Sequence, residues 1–70
     1  MKIQYDAEID ALSIIFTKTT ITTQHVTEGI AVDYDSDGHI AAIEILDAIK
    51  RFGNRQIFDK IELEQLNFAG

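Results

Sequence analysis

Residues 33 to 44 read Asp-Tyr-Asp-Ser-Asp-Gly-His-Ile-Ala-Ala-Ile-Glu, a spelling that matches the EF-hand calcium loop from its first aspartate through the central glycine to the closing glutamate. The chemistry it names is coordination of a hard divalent cation by the carboxylates of Asp33, Asp35, Asp37 and Glu44. A calcium loop, however, works because a helix on each side holds its oxygens at the right spacing. Here the flanks, Ile30-Ala31-Val32 and Ala42-Ile43-Glu44-Ile45, are β-branched and alternating, so both read as strands. Asp33 and Glu44 then belong to paired strands, and the segment reads as an acidic hairpin tip. No metal, catalytic or cofactor-binding residue is assigned on this reading. Divalent-metal (calcium) binding through the 33–44 loop is kept as the alternative.

The other polar sets say less. Asp6, Glu8 and Asp10 form a second acidic cluster, and paired carboxylates can do acid and base work, but no nucleophile or cationic stabiliser accompanies them. They read as turn-solvating and backbone-capping groups. His25 and His39 are the only histidines, and their spacing is not that of a metal pair on a helix. No serine-histidine-acid set and no glycine-rich phosphate loop is spelled out. The expectation is a protein that is not an enzyme and carries no cofactor.

The elements that place these residues are mostly strands. Ile3 and Tyr5 alternate with polar neighbours, and Leu12, Ile14 and Phe16 do the same after a polar connection, which predicts a hairpin. The threonine-rich stretch from Lys18 to Thr27 predicts a loop and then a short, exposed edge strand. Glu28-Gly29 marks a turn into a strand carrying Ile30, Val32 and Tyr34. Asp35-Ser36-Asp37-Gly38 is a tight-turn signature in which Gly38 takes the positive φ.

In the strand after that turn, Ile40 and Ile43 are three apart while Ile43 and Ile45 are two apart. A single β-bulge near Ala41-Ala42 brings all three onto the face of Ile30, Val32 and Tyr34. It also puts Ala31, Asp33, Asp35, His39 and Glu44 on the opposite face. Asp47 reads as the N-cap of a short helix that Gly53 ends. Lys60-Ile61-Glu62-Leu63-Glu64 alternates as a last strand would, with Leu66 and Phe68 following in changed parity, and helix is the alternative for residues 54–70.

Seventy residues make one domain, near the lower limit for an unaided hydrophobic core. Without cysteine there is no disulfide staple or thiolate metal site, which leaves self-association as the support expected. The apolar runs are too short to cross a bilayer, and the N-terminus shows no signal-peptide core, so a cytoplasmic location is expected. The net charge of −6 argues against direct nucleic-acid binding, which depends on clustered Lys and Arg. Residues 1–49 carry Lys2 and Lys18 as their only cations, whereas residues 50–70 carry Lys50, Arg51, Arg55 and Lys60. An acidic body of this kind suits a basic partner, or opposite patches on two copies.

The residues Met1-Lys2-Ile3, Tyr5-Asp6, Asp10-Ala11-Leu12, Gly29-Ile30, Val32-Asp33-Tyr34-Asp35, Asp37-Gly38 and Ile43-Glu44-Ile45-Leu46-Asp47-Ala48 together resemble the small bacterial family called domain of unknown function 2283. The resemblance spans residues 1 to about 50. It implies a shared hairpin and helix start, and it carries over no catalytic residue or cofactor. Small acidic proteins of this kind are sometimes encoded beside small toxin-like proteins, so the resemblance also implies an antitoxin-like partner.

The expected fold is α+β: a small antiparallel sheet of four to five strands with one short helix after the fourth strand. Its apolar face is formed by Leu12, Ile14, Phe16, Ile30, Val32, Tyr34, Ile40, Ile43 and Ile45. One helix cannot cover that face, which predicts a homodimer. The expected role is a noncatalytic protein-interaction module with a small basic protein partner.

Overall fold

A computed structural model describes residues 1–67. Five strands, β1 (Lys2–Asp6), β2 (Ala11–Ile15), β3 (Thr22–Thr27), β4 (Ile30–Tyr34) and β5 (Ile40–Leu46), are followed by the short helix α1 (Ala48–Phe52) and a 3-10 helix over Arg55–Asp59. The strands form one antiparallel sheet in the order β1-β2-β5-β4-β3. The expected α+β class holds. The helix follows the fifth strand, because the threonine-rich stretch supplies β3 as a full edge strand, exposed along its whole length.

Period-2 alternation sorts the sheet into two faces. Ile30, Val32 and Tyr34 stand opposite Ile45, Ile43 and Ile40, while Leu12 and Ile14 flank Ile45 and Ile43 from the other side. Ile3 and Tyr5 extend this apolar face across β1. The predicted bulge is present: Asp33 pairs with Ala42 and Tyr34 with Ile40, leaving Ala41 as the extra residue. Ala41 is only 1% exposed, and its carbonyl accepts hydrogen bonds from the backbone N–H groups of Phe16 (2.8 Å) and Thr17 (3.1 Å). The bulge therefore also anchors the start of the connection from β2 to β3, which must pass β5 and β4 to reach the far edge.

The turns form for the reasons the residues supply. Gly38 takes φ 82°, and Asp35 Oδ1 accepts the N–H groups of Asp37 and His39, each at 2.9 Å. Gly29 takes φ 80° in the β3–β4 turn. There Arg51 donates to the carbonyls of Glu28 and Leu46, fastening α1 to the turn and to the end of β5.

Two sequence expectations are corrected. Asp47 occupies the position before α1, but in a left-handed conformation (φ 53°) with no side-chain cap. The cap comes from Asp10 in the β1–β2 turn, whose carboxylate accepts the Ile49 N–H at 2.9 Å and whose carbonyl accepts the Ala48 N–H at 3.0 Å. A carboxylate distant in sequence outcompetes the adjacent one because β2 and β5 are paired and bring Asp10 to the helix start. The second correction concerns the last strand expected over residues 60–64. The 3-10 helix precedes this segment, which among the described residues pairs with no strand. The extension of that expectation to Phe68, and the helical alternative for residues 68–70, lie outside the described residues.

The apolar face is covered at one corner, where Phe58 stacks on Tyr5 with ring centroids 4.5 Å apart and meets Phe52 edge-on at 6.2 Å. Buried hydrophobic residues are Leu12 and four alanines, Ala31, Ala41, Ala42 and Ala48, and no large side chain among the described residues is fully buried.

Candidate functional site

The opposite face of the sheet carries the polar side chains. One cross-strand row runs Gln4, Ser13, Glu44, Ala31, His25 across all five strands, and the next runs Lys2, Ile15, Ala42, Asp33, Thr23. Glu44 lies on the central strand, with Asp33 diagonal to it. Ala31 and Ala42 are their neighbours in the two rows, and such small side chains leave room for both carboxyl groups.

Asp33 is 3% exposed and accepts a hydrogen bond from the Thr23 hydroxyl at 2.6 Å. Hydrogen bonding with the neighbouring Asp33 carboxyl first, then partial burial and the Asp33 charge, raise the Glu44 pKa above the ordinary carboxylate value, against an opposing pull from His25. A neighbouring negative charge and burial both disfavour the ionised form of Glu44. Glu44 also lines three open hollows on this face, of about 560, 260 and 210 Å3. The β2–β3 connection walls the second through Thr17, Lys18, Thr19 and Ile21, and His25 and Thr23 border the third.

This face holds a serine, a histidine and acids, the ingredients of a nucleophilic triad. Their separation rules that use out in the present geometry. Ser13 and His25 stand on β2 and β3, three strand positions apart, which is roughly 14 Å at the usual interstrand spacing. A base must lie within about 3 Å of the proton it takes. What the face can do is accept hydrogen bonds, and the half-buried Glu44 at its centre suits a cationic or amide donor.

The calcium spelling is divided by the same register. Asp33 and Glu44 lie on the polar face, whereas Asp35, Asp37 and His39 form the hairpin tip. Among the described residues, the side chains close enough to share an ion are Asp35, Asp37 and His39, with ligand atoms within 4.8 Å of one another. Asp35 spends its Oδ1 on backbone N–H groups and sets its Oδ2 3.5 Å from His39 Nδ1. Those contacts, the His39 N–H first, lower the Asp35 pKa. The four carboxylates of the motif do not converge on one coordination sphere.

The second acidic cluster also resolves into structural duties. Asp6 accepts the Glu8 N–H at 3.0 Å. Asp10 accepts the Tyr5 hydroxyl at 2.6 Å in addition to capping α1. The tyrosine bond, then the Ile49 N–H, lowers the Asp10 pKa, and the same contact raises that of Tyr5.

Sequence reasoning did not gather Ser13, Thr23 and His25 around the Asp33 and Glu44 pair. The parity of Thr23 and His25 was the available signal. It becomes readable only once β3 is known to sit beside β4.

A family model described as "Protein of unknown function (DUF2283)" matches residues 2–48, the segment from β1 to the start of α1. No curated protein and no solved structure matches the chain.

Proposed function

Because the chain belongs to the DUF2283 family, whose description assigns no function, we propose from its geometry that it is a noncatalytic protein-interaction module with a small basic protein as partner. The observation that carries this reading is the open sheet. Ile3, Phe16 and Ile40 are exposed on the apolar face, and no large side chain among the described residues is fully buried. Apolar surface of this kind gains roughly 25 cal/mol per Å2 when covered, and a contiguous exposed patch marks an interaction site.

The preference for a basic partner follows from charge. The net charge is −6, and acidic turns lie at both ends of the sheet, Asp6 to Asp10 beside the end of β5 and Asp35 to Asp37 beside its start. Complementary potential steers encounter and selects partners. The antitoxin-like role implied by the family resemblance is one form of this reading.

The test is affinity capture from the native host with the partner identified by mass spectrometry, read together with the product of the adjacent gene. The expected result is a small protein of high pI, released by salt and held less tightly by the Asp35→Lys, Asp37→Lys double variant. Recovery of neutral or acidic proteins alone overturns the proposal.

A further inference from the structure

Among the described residues, two segments are left without strand partners by the fold. β1 is an edge of the sheet, so one side of its backbone has no strand beside it among the described residues. Residues 60–66 form no strand, although Lys60 is already extended (φ −144°, ψ 130°). Ile61, Leu63 and Leu66 are 64%, 84% and 72% exposed. We infer that residues 60–64 of one copy pair antiparallel with β1 of a second copy, and reciprocally, so that two chains form a two-fold dimer by exchange of C-terminal arms. This inference concerns copies of this chain alone and stands independently of the basic-partner reading.

The two segments are complementary residue by residue. β1 reads Lys2-Ile3-Gln4-Tyr5-Asp6 and the arm reads Lys60-Ile61-Glu62-Leu63-Glu64. With Leu63 opposite Ile3, an antiparallel alignment sets Glu64 against Lys2, Glu62 against Gln4, Ile61 against Tyr5 and Lys60 against Asp6. Both ends become opposite-charge pairs, which stabilise a strand pair, whereas like charges directly opposite destabilise it. Ile61 and Leu63 then continue the apolar face beside Ile3 and Tyr5, while Lys60, Glu62 and Glu64 continue the polar one.

A parallel alignment in the same parity sets Lys60 against Lys2 and Glu64 against Asp6, which is repulsive at both ends. The other sheet edge does not fit. β3 offers Thr22, Gln24 and Thr27 on the apolar face, and its register is broken between His25 and Thr27. The Phe58 stack on Tyr5 fixes the root of the arm beside β1. Two β1 edges facing each other therefore place each arm next to the other copy's edge, a closed arrangement that leaves neither edge open.

Because the chain has no cysteine, the pairing can be read directly. Full-length Ile3→Cys and Leu63→Cys proteins are mixed and treated with a short bifunctional maleimide, while oligomeric state is followed by light scattering. The expected results are a dimer of the parent chain and a covalent product joining one copy of each variant. The Lys2→Glu or Glu64→Lys variant should weaken the dimer about tenfold, since each reversal acts twice across the two-fold axis, and the Lys2→Glu, Glu64→Lys double variant should restore it. A monomeric parent overturns the inference. So does crosslinking of Leu63→Cys only to itself, or an Ile3→Cys, Leu63→Cys double variant that crosslinks within one chain.

Discussion

At the scale of single residues, Glu44 sits in an environment that its neighbours in sequence do not imply. A group whose folded pKa lies above its unfolded value contributes stability that is fully present below the unfolded pKa and is lost as pH rises through the folded one. Glu44 is such a group. Asp10 and Asp35, held low by hydrogen bonds from Tyr5 and from the His39 backbone, act in the opposite sense, and their contribution is lost as pH falls through their depressed pKa values. Glu44→Gln keeps a hydrogen bond to Asp33 and removes the charge. Thermal melts are expected to show its Tm raised by roughly 3 °C near pH 7 and equal to the parent's near pH 4. A variant less stable than the parent at pH 7 contradicts the raised pKa of Glu44. The sequence placed Glu44 and Asp33 on one face through parity, but which acids meet depended on strand order, which parity does not encode.

Among the elements, the legible features were those set by local chemistry. Gly38, the Asp35 turn and the Ala41 bulge all follow from spacing within one hairpin. The features missed were set by tertiary contacts: Asp10 caps α1 across the sheet, and residues 60–64, although they alternate as a strand, pair with no strand among the described residues.

The β3–β4 turn shows how tightly such contacts are built. A Cβ placed on Gly29 would collide with the Arg51 guanidinium, and the left-handed φ of 80° already disfavours a side chain there. Gly29→Ala is therefore expected to cost about 1–2 kcal/mol in urea unfolding. The loss should shrink when Arg51→Ala is added, because the collision is removed while the backbone strain remains. Full additivity of the two changes would show that the guanidinium does not occupy that space in solution.

For the whole molecule, the fold class could be read from alternation alone, since four of the five strands carry a clear apolar stripe and β3 was marked as an edge by its threonines. That one short helix leaves the sheet incompletely covered follows from size, whereas the place of the cover does not: among the described residues it is the Phe58 corner over Tyr5.

The strand order also divides the pairings by the length of chain they enclose. β3, β4 and β5 are joined by short turns, as are β1 and β2, whereas β2 meets β5 only after about thirty intervening residues, as in the Ile14 to Ile43 pair. Closing that larger loop costs more chain entropy than closing either hairpin. The β4–β5 hairpin should therefore be formed early, and the seam between β2 and β5 should close last. In stopped-flow folding, Gly38→Ala should slow refolding with little change in unfolding, whereas Ile14→Val at the seam should mainly speed unfolding. The reverse pattern would place the seam in the nucleus. The acidic segment that spells a calcium loop would then serve this protein chiefly in time, as the turn from which the sheet begins to assemble.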